Sequence, residues 1–251
     1  MNREYLTTMS ESIHKRKIDE QTQRQKRRIR SYVLRQSRMS NLQQRAYDGL
    51  FPQYGFTYDP NKVITGADYP KNNPLIIEIG FGMGHATAEI ARKRPDRNFL
   101  GIEVHSPGVG ALLARIEENN LQNLKVIQHD AIPVLIHMIP QMSIEGIHLF
   151  FPDPWPKKRH KKRRIFQSSL LSIVSEKLIP EGYVYAVTDW EDYAQQMLET
   201  SNNHPDFTNA YHGSFASDIE WRPQTAFERK GLAKNHRIYE LFIQKRRINI
   251  Q

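Results

Sequence analysis

Four acidic residues recur at near-constant steps through the middle of this sequence, each where an apolar run ends: Glu78, Glu103, Asp130 and Asp153. Beside the first stand Gly80, Gly82 and Gly84, directly after an apolar run and before a helix-like segment beginning near His85. Glycines there permit a tight turn and let a ligand approach the backbone at a helix N-terminus. The steps from Gly80 to Glu103, to Asp130 and to Asp153 are 23, 27 and 23 residues, about one strand-helix unit each. In an open parallel sheet, that spacing brings the acids to the carboxyl ends of the strands, where ligands bind. Asp153 stands in Leu149-Phe150-Phe151-Pro152-Asp153-Pro154-Trp155-Pro156. Flanking prolines stiffen such a loop, so its carboxylate can accept hydrogen bonds from a base edge and its indole can stack on the base. The basic run that follows, Lys157, Lys158, Arg159, His160, Lys161, Lys162, Arg163 and Arg164, is available for the phosphates around such a base.

A dinucleotide fingerprint would need a third glycine at position 85, where His85 stands. Gly-x-Gly-x-Gly is instead the pattern of the first loop in S-adenosylmethionine-dependent methyltransferases. With that ligand, Glu103 is placed to accept from ribose hydroxyls, Asp130 lies near the adenine amine and Glu78 is close to the methionine end. Asp189, after the fifth strand, continues the row; it is also placed to cap a helix starting at Trp190. Thr225 and Glu228, three apart, have the spacing of a capping box. The ten histidines show neither H-x3-H nor HExxH spacing, so His85, His105 and His129 are read as loop donors and no metal is expected.

The elements that must position these residues are legible from Leu75 onward, where short apolar runs alternate with amphipathic stretches, the signature of βαβ units. Strands are predicted at 75–79, 98–103, 124–128, 146–151, 182–188 and 238–244. Helical faces are read from Val109, Leu112, Leu113 and Ile116, from Phe166, Leu170, Ile173 and Val174, and from Trp190, Tyr193, Ala194 and Met197. Residues 40–74 read as a short helix and an irregular lead-in. The 251 residues are enough to bury a core without staples, and with no cysteine there are none, nor a thiol nucleophile or iron–sulfur cluster. No apolar run approaches about 18 residues and the start is polar, so a soluble, cytoplasmic protein is expected. The net charge is +9, yet residues 24–38 and 157–164 each hold seven basic residues and no acid, so the rest of the chain carries −5. Such clusters attract polyanions. Residues 1–38 are read as a basic, disordered tail and 39–251 as one domain.

The sequence resembles the tRNA (guanine-N7-)-methyltransferases of the bacterial, single-subunit type. The resemblance runs from about Arg27 to Arg246, through EIGFGMG at 78–84, FLGIEVHSPGVG at 99–110, LFFPDPWPKKRHKKRR at 149–164, TDW at 188–190 and RPQTAFERKG at 222–231. It implies an α/β, Rossmann-like class I methyltransferase fold: a mostly parallel sheet with helices on both faces and an antiparallel final strand. It further implies S-adenosyl-L-methionine as cofactor, held by Glu78, Glu103, Asp130 and Asp153, with Asp153 as the active-site acid. Guanine or RNA contacts are implied at Lys157, Asp189, Thr225 and Glu228. The reaction implied is formation of N7-methylguanosine at position 46, in the tRNA variable loop, by a monomer or homodimer with tRNA as partner and no membrane or obligate protein partner. Position 156 is Pro where other members often carry His. Methylation of an exocyclic base amine (N2 or N6), a non-catalytic RNA-binding role and a nicotinamide-dependent dehydrogenase are the alternatives. The last lacks its third glycine and would have no use for the basic run.

Overall fold

Apolar runs of five to seven residues, buried on both faces, form the strands β2 (Leu75–Ile79), β3 (Asn98–Glu103), β4 (Leu124–Gln128) and β5 (Ile144–Phe150). The computed structural model describes residues 29–33, 38–233 and 236–247. Of the basic segment expected to be a tail, residues 1–28 and 34–37 lie outside the described residues. The described residues fall into two units: 29–33 with Trp155–Arg163, and 38–154 with those from 164 to 247.

The larger unit is built on one eight-stranded sheet completed by β1 (Gly55–Phe56), β6 (Leu178–Thr188), β7 (Phe207–Asn209) and β8 (Tyr239–Lys245). Its order is β1-β4-β3-β2-β5-β6-β8-β7. Every pairing from β1 through β6 is parallel, and both pairings of β8 are antiparallel. The three strands expected at 75–79, 98–103 and 124–128 have those bounds. The strands β5 and β6 begin earlier than the apolar pattern shows, and β1 and β7, two and three residues long, are too short to show a pattern at all.

Period-2 alternation sends the side chains of each strand to opposite faces, and helices cover both. Ile77, Ile79, Leu100 and Ile102 pack with α4 (Ala131–His137), α5 (Ser168–Lys177) and α6 (Glu191–Asn202). On the other face, Ile76, Phe99 and Val126 meet α1 (Asn41–Tyr54), α2 (His85–Lys93) and α3 (Ser106–Glu118). Each such aliphatic side chain stabilises the fold by roughly 2 kcal/mol relative to exposure. A capping box starts α1, Ser40 Oγ accepting from the Gln43 amide while Gln43 Oε1 accepts from the Ser40 amide. The face read as starting at Trp190 is corrected: α6 begins at Glu191, so Trp190 stands at its cap, 37% exposed, while Tyr193, Ala194 and Met197 are buried. A further helix, α7 (Ala226–Leu232), precedes β8. The chain steps from β2 to β3 and β4 on one side and to β5 and β6 on the other, so the turn after β2 lies at the switch point of the sheet, where a crevice opens between the diverging connections.

Candidate active site

The turn at that switch point is Gly80 to Gly84, and its three glycines all have positive φ, between 58° and 75°. A Cβ added at Gly80 or Gly82 would meet no atom within 4 Å, so the turn offers bare backbone on its open side. Its other side is tightly backed. A Cβ on Gly108, in the first turn of α3, would come within 2.2 Å of the Gly82 carbonyl oxygen, so only glycine lets α3 approach the turn.

Five carboxylates follow the strand order along the same edge: Asp130 after β4, Glu103 ending β3, Glu78 near the end of β2, Asp153 after β5 and Asp189 after β6. The row expected from spacing is therefore present. Glu103 is bound tightly to the backbone: Oε2 accepts from the Gly82 amide at 3.0 Å, and Oε1 from the Val104 and His105 amides at 2.7 and 3.1 Å. Burial pushes its pKa up, against the pull of those three amides. A carboxylate has about four acceptor positions, so Oε2 keeps room for one more donor such as a hydroxyl. Asp130 is the N-cap of α4, Oδ1 accepting from the Ile132 amide at 3.0 Å. Next to it, the His129 ring stacks on Tyr58 at 3.9 Å, a pairing no local pattern shows because the rings come from segments some seventy residues apart.

Glu78 is 4% exposed. Desolvation pushes its pKa from 4.5 up to about 7, opposed by the Thr87 hydroxyl and reinforced by the Glu103 carboxylate. A folded-state pKa above the unfolded one means that the folded chain keeps a proton the unfolded chain has lost. Glu78 therefore costs stability as pH rises from about 4.5 to about 7, with about 3 kcal/mol involved. Denaturation of the protein without cofactor at pH 5 and pH 8 checks this: Glu78→Gln should lose less stability than wild type over the interval, by about that amount. Parallel losses in the two proteins would show that Glu78 does not titrate there.

Asp153 is exposed, in a half-buried loop bounded by left-handed residues, Phe151 at φ 51° and Trp155 at φ 43°. The Phe151 amide donates to the Val187 carbonyl at 2.8 Å. Asp189 does not cap α6; its Oδ2 lies 3.3 Å from His236 Nδ1, and a Cβ on Gly231 of α7 would come within 3.1 Å of it. Thr225 and Glu228 form the capping box that their spacing allows: Thr225 Oγ1 accepts from the Glu228 amide at 3.0 Å, and Glu228 Oε2 from the Thr225 amide at 3.3 Å. Glu228 also takes both Arg222 terminal nitrogens, at 2.5 and 3.1 Å. Arg222 reaches on to Glu240 Oε1 at 2.5 Å and to the Tyr185 hydroxyl at 3.0 Å. This buried arginine, absent from the site residues expected of the sequence, ties the Thr225–Glu228 turn to β6 and β8.

Within the smaller unit, Lys158–Arg163 forms a 3-10 helix with Lys157 just before it, and Lys157, Lys158, Arg159 and Lys162 are exposed. The Arg163 guanidinium lies 3.7 Å over the Trp155 ring and donates to the carbonyls of Arg30 and Tyr32 at 3.0 and 2.8 Å, while Trp155 Nε1 donates to the Ser31 carbonyl at 2.9 Å. One face of the indole expected to stack on a base is thus covered by a cation. Arg164 corrects the RNA-binding expectation outright. It belongs to the larger unit and its side chain is 1% exposed, so it offers no charge to a phosphate.

Among the described residues, no group of three or more His, Asp or Glu side chains is arranged to hold a metal, and no helix is long and apolar enough to cross a membrane. The family model "Putative methyltransferase" matches residues 72–241. The chain is 45% identical over 220 residues to a tRNA (guanine-N(7)-)-methyltransferase of Nitrosospira multiformis, covering 88% of this chain and 96% of that one. It is 47% identical to proteins of the same name from Chromobacterium violaceum, covering 88% of this chain and 97% of that one, and from Cupriavidus metallidurans, covering 88% and 85%.

Proposed function

This chain belongs to the bacterial tRNA (guanine-N7-)-methyltransferase family, and from that premise we propose that its row of carboxylates and its Asp153 loop carry methylation of a variable-loop guanosine, position 46. It is an S-adenosylmethionine-dependent enzyme acting on N7 of guanine in tRNA. The observation that carries the site assignment is the succession Asp130, Glu103, Glu78, Asp153 and Asp189 across five neighbouring strand ends beside the glycine turn.

The cofactor supplies an electrophilic methyl group on a sulfonium sulfur. Its nucleoside portion suits the residues present: the bare backbone at Gly80 and Gly82, the remaining acceptor position on Glu103 Oε2 and the Asp130 carboxylate beside the Tyr58–His129 stack. N7 of guanine carries a lone pair in the neutral base, so no general base has to act before transfer. The work of the protein is alignment and exclusion of water. Transfer moves positive charge onto the purine, and a fixed Asp153 carboxylate accepting from the donor edge of guanine favours that product electrostatically. A stacked base hides its ring atoms, so the guanosine must be splayed out to be reached. Thr225, held by its capping box, and Asp189 are assigned to the base, while Lys157, Arg159, His160, Lys161 and Lys162 are assigned to the RNA around it. A tRNA substrate supports a cytoplasmic location.

Nucleoside mass spectrometry of tRNA incubated with the enzyme and S-adenosylmethionine, with fragment mapping, tests the assignment. The expected product is N7-methylguanosine at position 46; methyl on N2 or N6, or at another position, refutes it. Neutralising Arg159, Lys161 and Lys162 together should weaken tRNA binding and lower the slope of log K against log salt by about 2, near 0.7 for each phosphate left without its cation. An unchanged slope would remove this helix from the RNA interface.

A further inference from the structure

Adjacent in sequence, Arg163 and Arg164 have opposite fates, and the buried one points to a role that charge patterning hides. Arg164 Nε donates to the Pro154 carbonyl at 2.7 Å, Nη1 to Gln196 Oε1 at 2.7 Å and Nη2 to Asp192 Oδ2 at 2.5 Å. Its guanidinium lies 4.7 Å over the ring of Tyr193, itself fully buried. Two further bonds close the frame. Gln196 Nε2 donates to the Phe166 carbonyl at 3.2 Å, and the Tyr193 hydroxyl accepts from the Phe166 amide at 3.0 Å. Asp192, Tyr193 and Gln196, all near the start of α6, therefore grip one guanidinium, and its remaining direction is spent on the peptide next to Asp153.

Burying a cation costs free energy that a single carboxylate partner at the surface hardly returns, and apolar replacements of buried ion pairs are often neutral or stabilising. What a guanidinium adds is geometry: a rigid planar fork that fixes several acceptors at once. The Pro154 carbonyl needs such fixing. Phe151 and Trp155, bulky residues in the left-handed region on either side of Asp153, are in a conformation unfavourable for such side chains, which persists only where the surroundings impose it. The Phe151 amide is held by Val187, and the Pro154 carbonyl by Arg164.

We propose that Arg164 is a positioning residue for Asp153, transmitting the fixed position of α6 to the Pro154 peptide and thereby aiming the neighbouring carboxylate. This rests on the reading of Asp153 as the active-site acid. The loop is thus tied on both sides of Asp153, to the sheet at Phe151 and to its covering helix at Pro154.

The test compares Arg164→Met, Arg164→Lys, Asp153→Ala and the double variant Asp153→Ala/Arg164→Met in turnover and tRNA binding. In Arg164→Met, kcat should fall on the order of 10²-fold, as expected of a misaimed group. The salt slope of tRNA binding should keep its wild-type value. Lys, with one ammonium in place of the fork, should restore little. The double variant should be no slower than Asp153→Ala alone, because the two residues then act through one step. Wild-type kcat with a shallower salt slope would overturn the proposal and make Arg164 a phosphate contact. A double variant slower than Asp153→Ala by the full factor would overturn it too, as a loss independent of Asp153. Should Arg164→Met fail to fold, Asp192→Asn at the exposed end of the clamp provides the check: reduced kcat with an unchanged slope supports the proposal, and wild-type kcat defeats it. Wild-type turnover by Asp153→Ala would remove the underlying reading together with the proposal, whereas an inactive Asp153→Ala beside a fully active Arg164→Met would remove the proposal alone.

Discussion

Asp153→Ala is expected to lower kcat on the order of 10³–10⁴-fold, which corresponds to about 4–5.5 kcal/mol of transition-state stabilisation. Loss of one preorganised electrostatic interaction is worth about 10²–10³, and release of the aligned base adds the remainder. The side chain is exposed and stands outside both core clusters, so the melting temperature should stay near that of the parent protein. Single-turnover methylation with saturating S-adenosylmethionine is the measurement, since it separates the chemical step from product release. Asp153→Asn keeps the shape but not the charge. It should fall between the two, because an amide oxygen still accepts one hydrogen bond from guanine while the electrostatic preference for the cationic product is gone. Turnover near that of the parent protein in either variant would take Asp153 out of the mechanism.

Arg222→Met, by contrast, acts first on the fold, with an expected loss on the order of 3–5 kcal/mol in urea denaturation. Its side chain is 4% exposed, and the Glu228 and Glu240 side chains it bridges are 12% and 17% exposed. Removing the cation leaves two largely buried carboxylates, Glu240 with the Tyr185 hydroxyl as donor and Glu228 with the Thr225 amide, and no cation between them. The loss is therefore mostly the cost of orphaned charge, and it should shrink when the charges are removed as well. Arg222→Met combined with Glu228→Gln and Glu240→Gln is expected to recover more than half of the stability. A single variant within about 1 kcal/mol of the parent protein, or a triple variant as unstable as the single, would show that these ion pairs do not hold the segment. Activity should not return with stability in the triple variant, because Glu228 also closes the capping box that sets Thr225.

These two residues differ in how far the sequence announces them. Asp153 is conspicuous because prolines flank it and its distance from Asp130 repeats the strand-helix unit. Arg222 sits in an Arg-Pro pair that local pattern cannot tell from a surface turn, and its partners Tyr185 and Glu240 lie on β6 and β8. The capping box of Thr225 and Glu228 was legible as a local hydrogen-bond pattern, whereas the commitment of Glu228 to Arg222 was not.

The sequence by itself determined the parallel strands and the placement of five carboxylates at their ends. A strand buried on both faces is mostly apolar, and one strand-helix unit has a nearly fixed length, so both are written as local periodicity and spacing. Only the tertiary structure decided which cations face solvent and which are structural. Arg163 and Arg164 are indistinguishable as neighbours in a basic run, yet Arg164 is buried because Asp192 and Gln196, some thirty residues on, fold back over it. The same holds for Tyr58 against His129 and for the two short edge strands. Residue type sets what a side chain can do, but the free energy of a charge or ring depends on what surrounds it, and in these cases the surroundings come from distant segments of the chain.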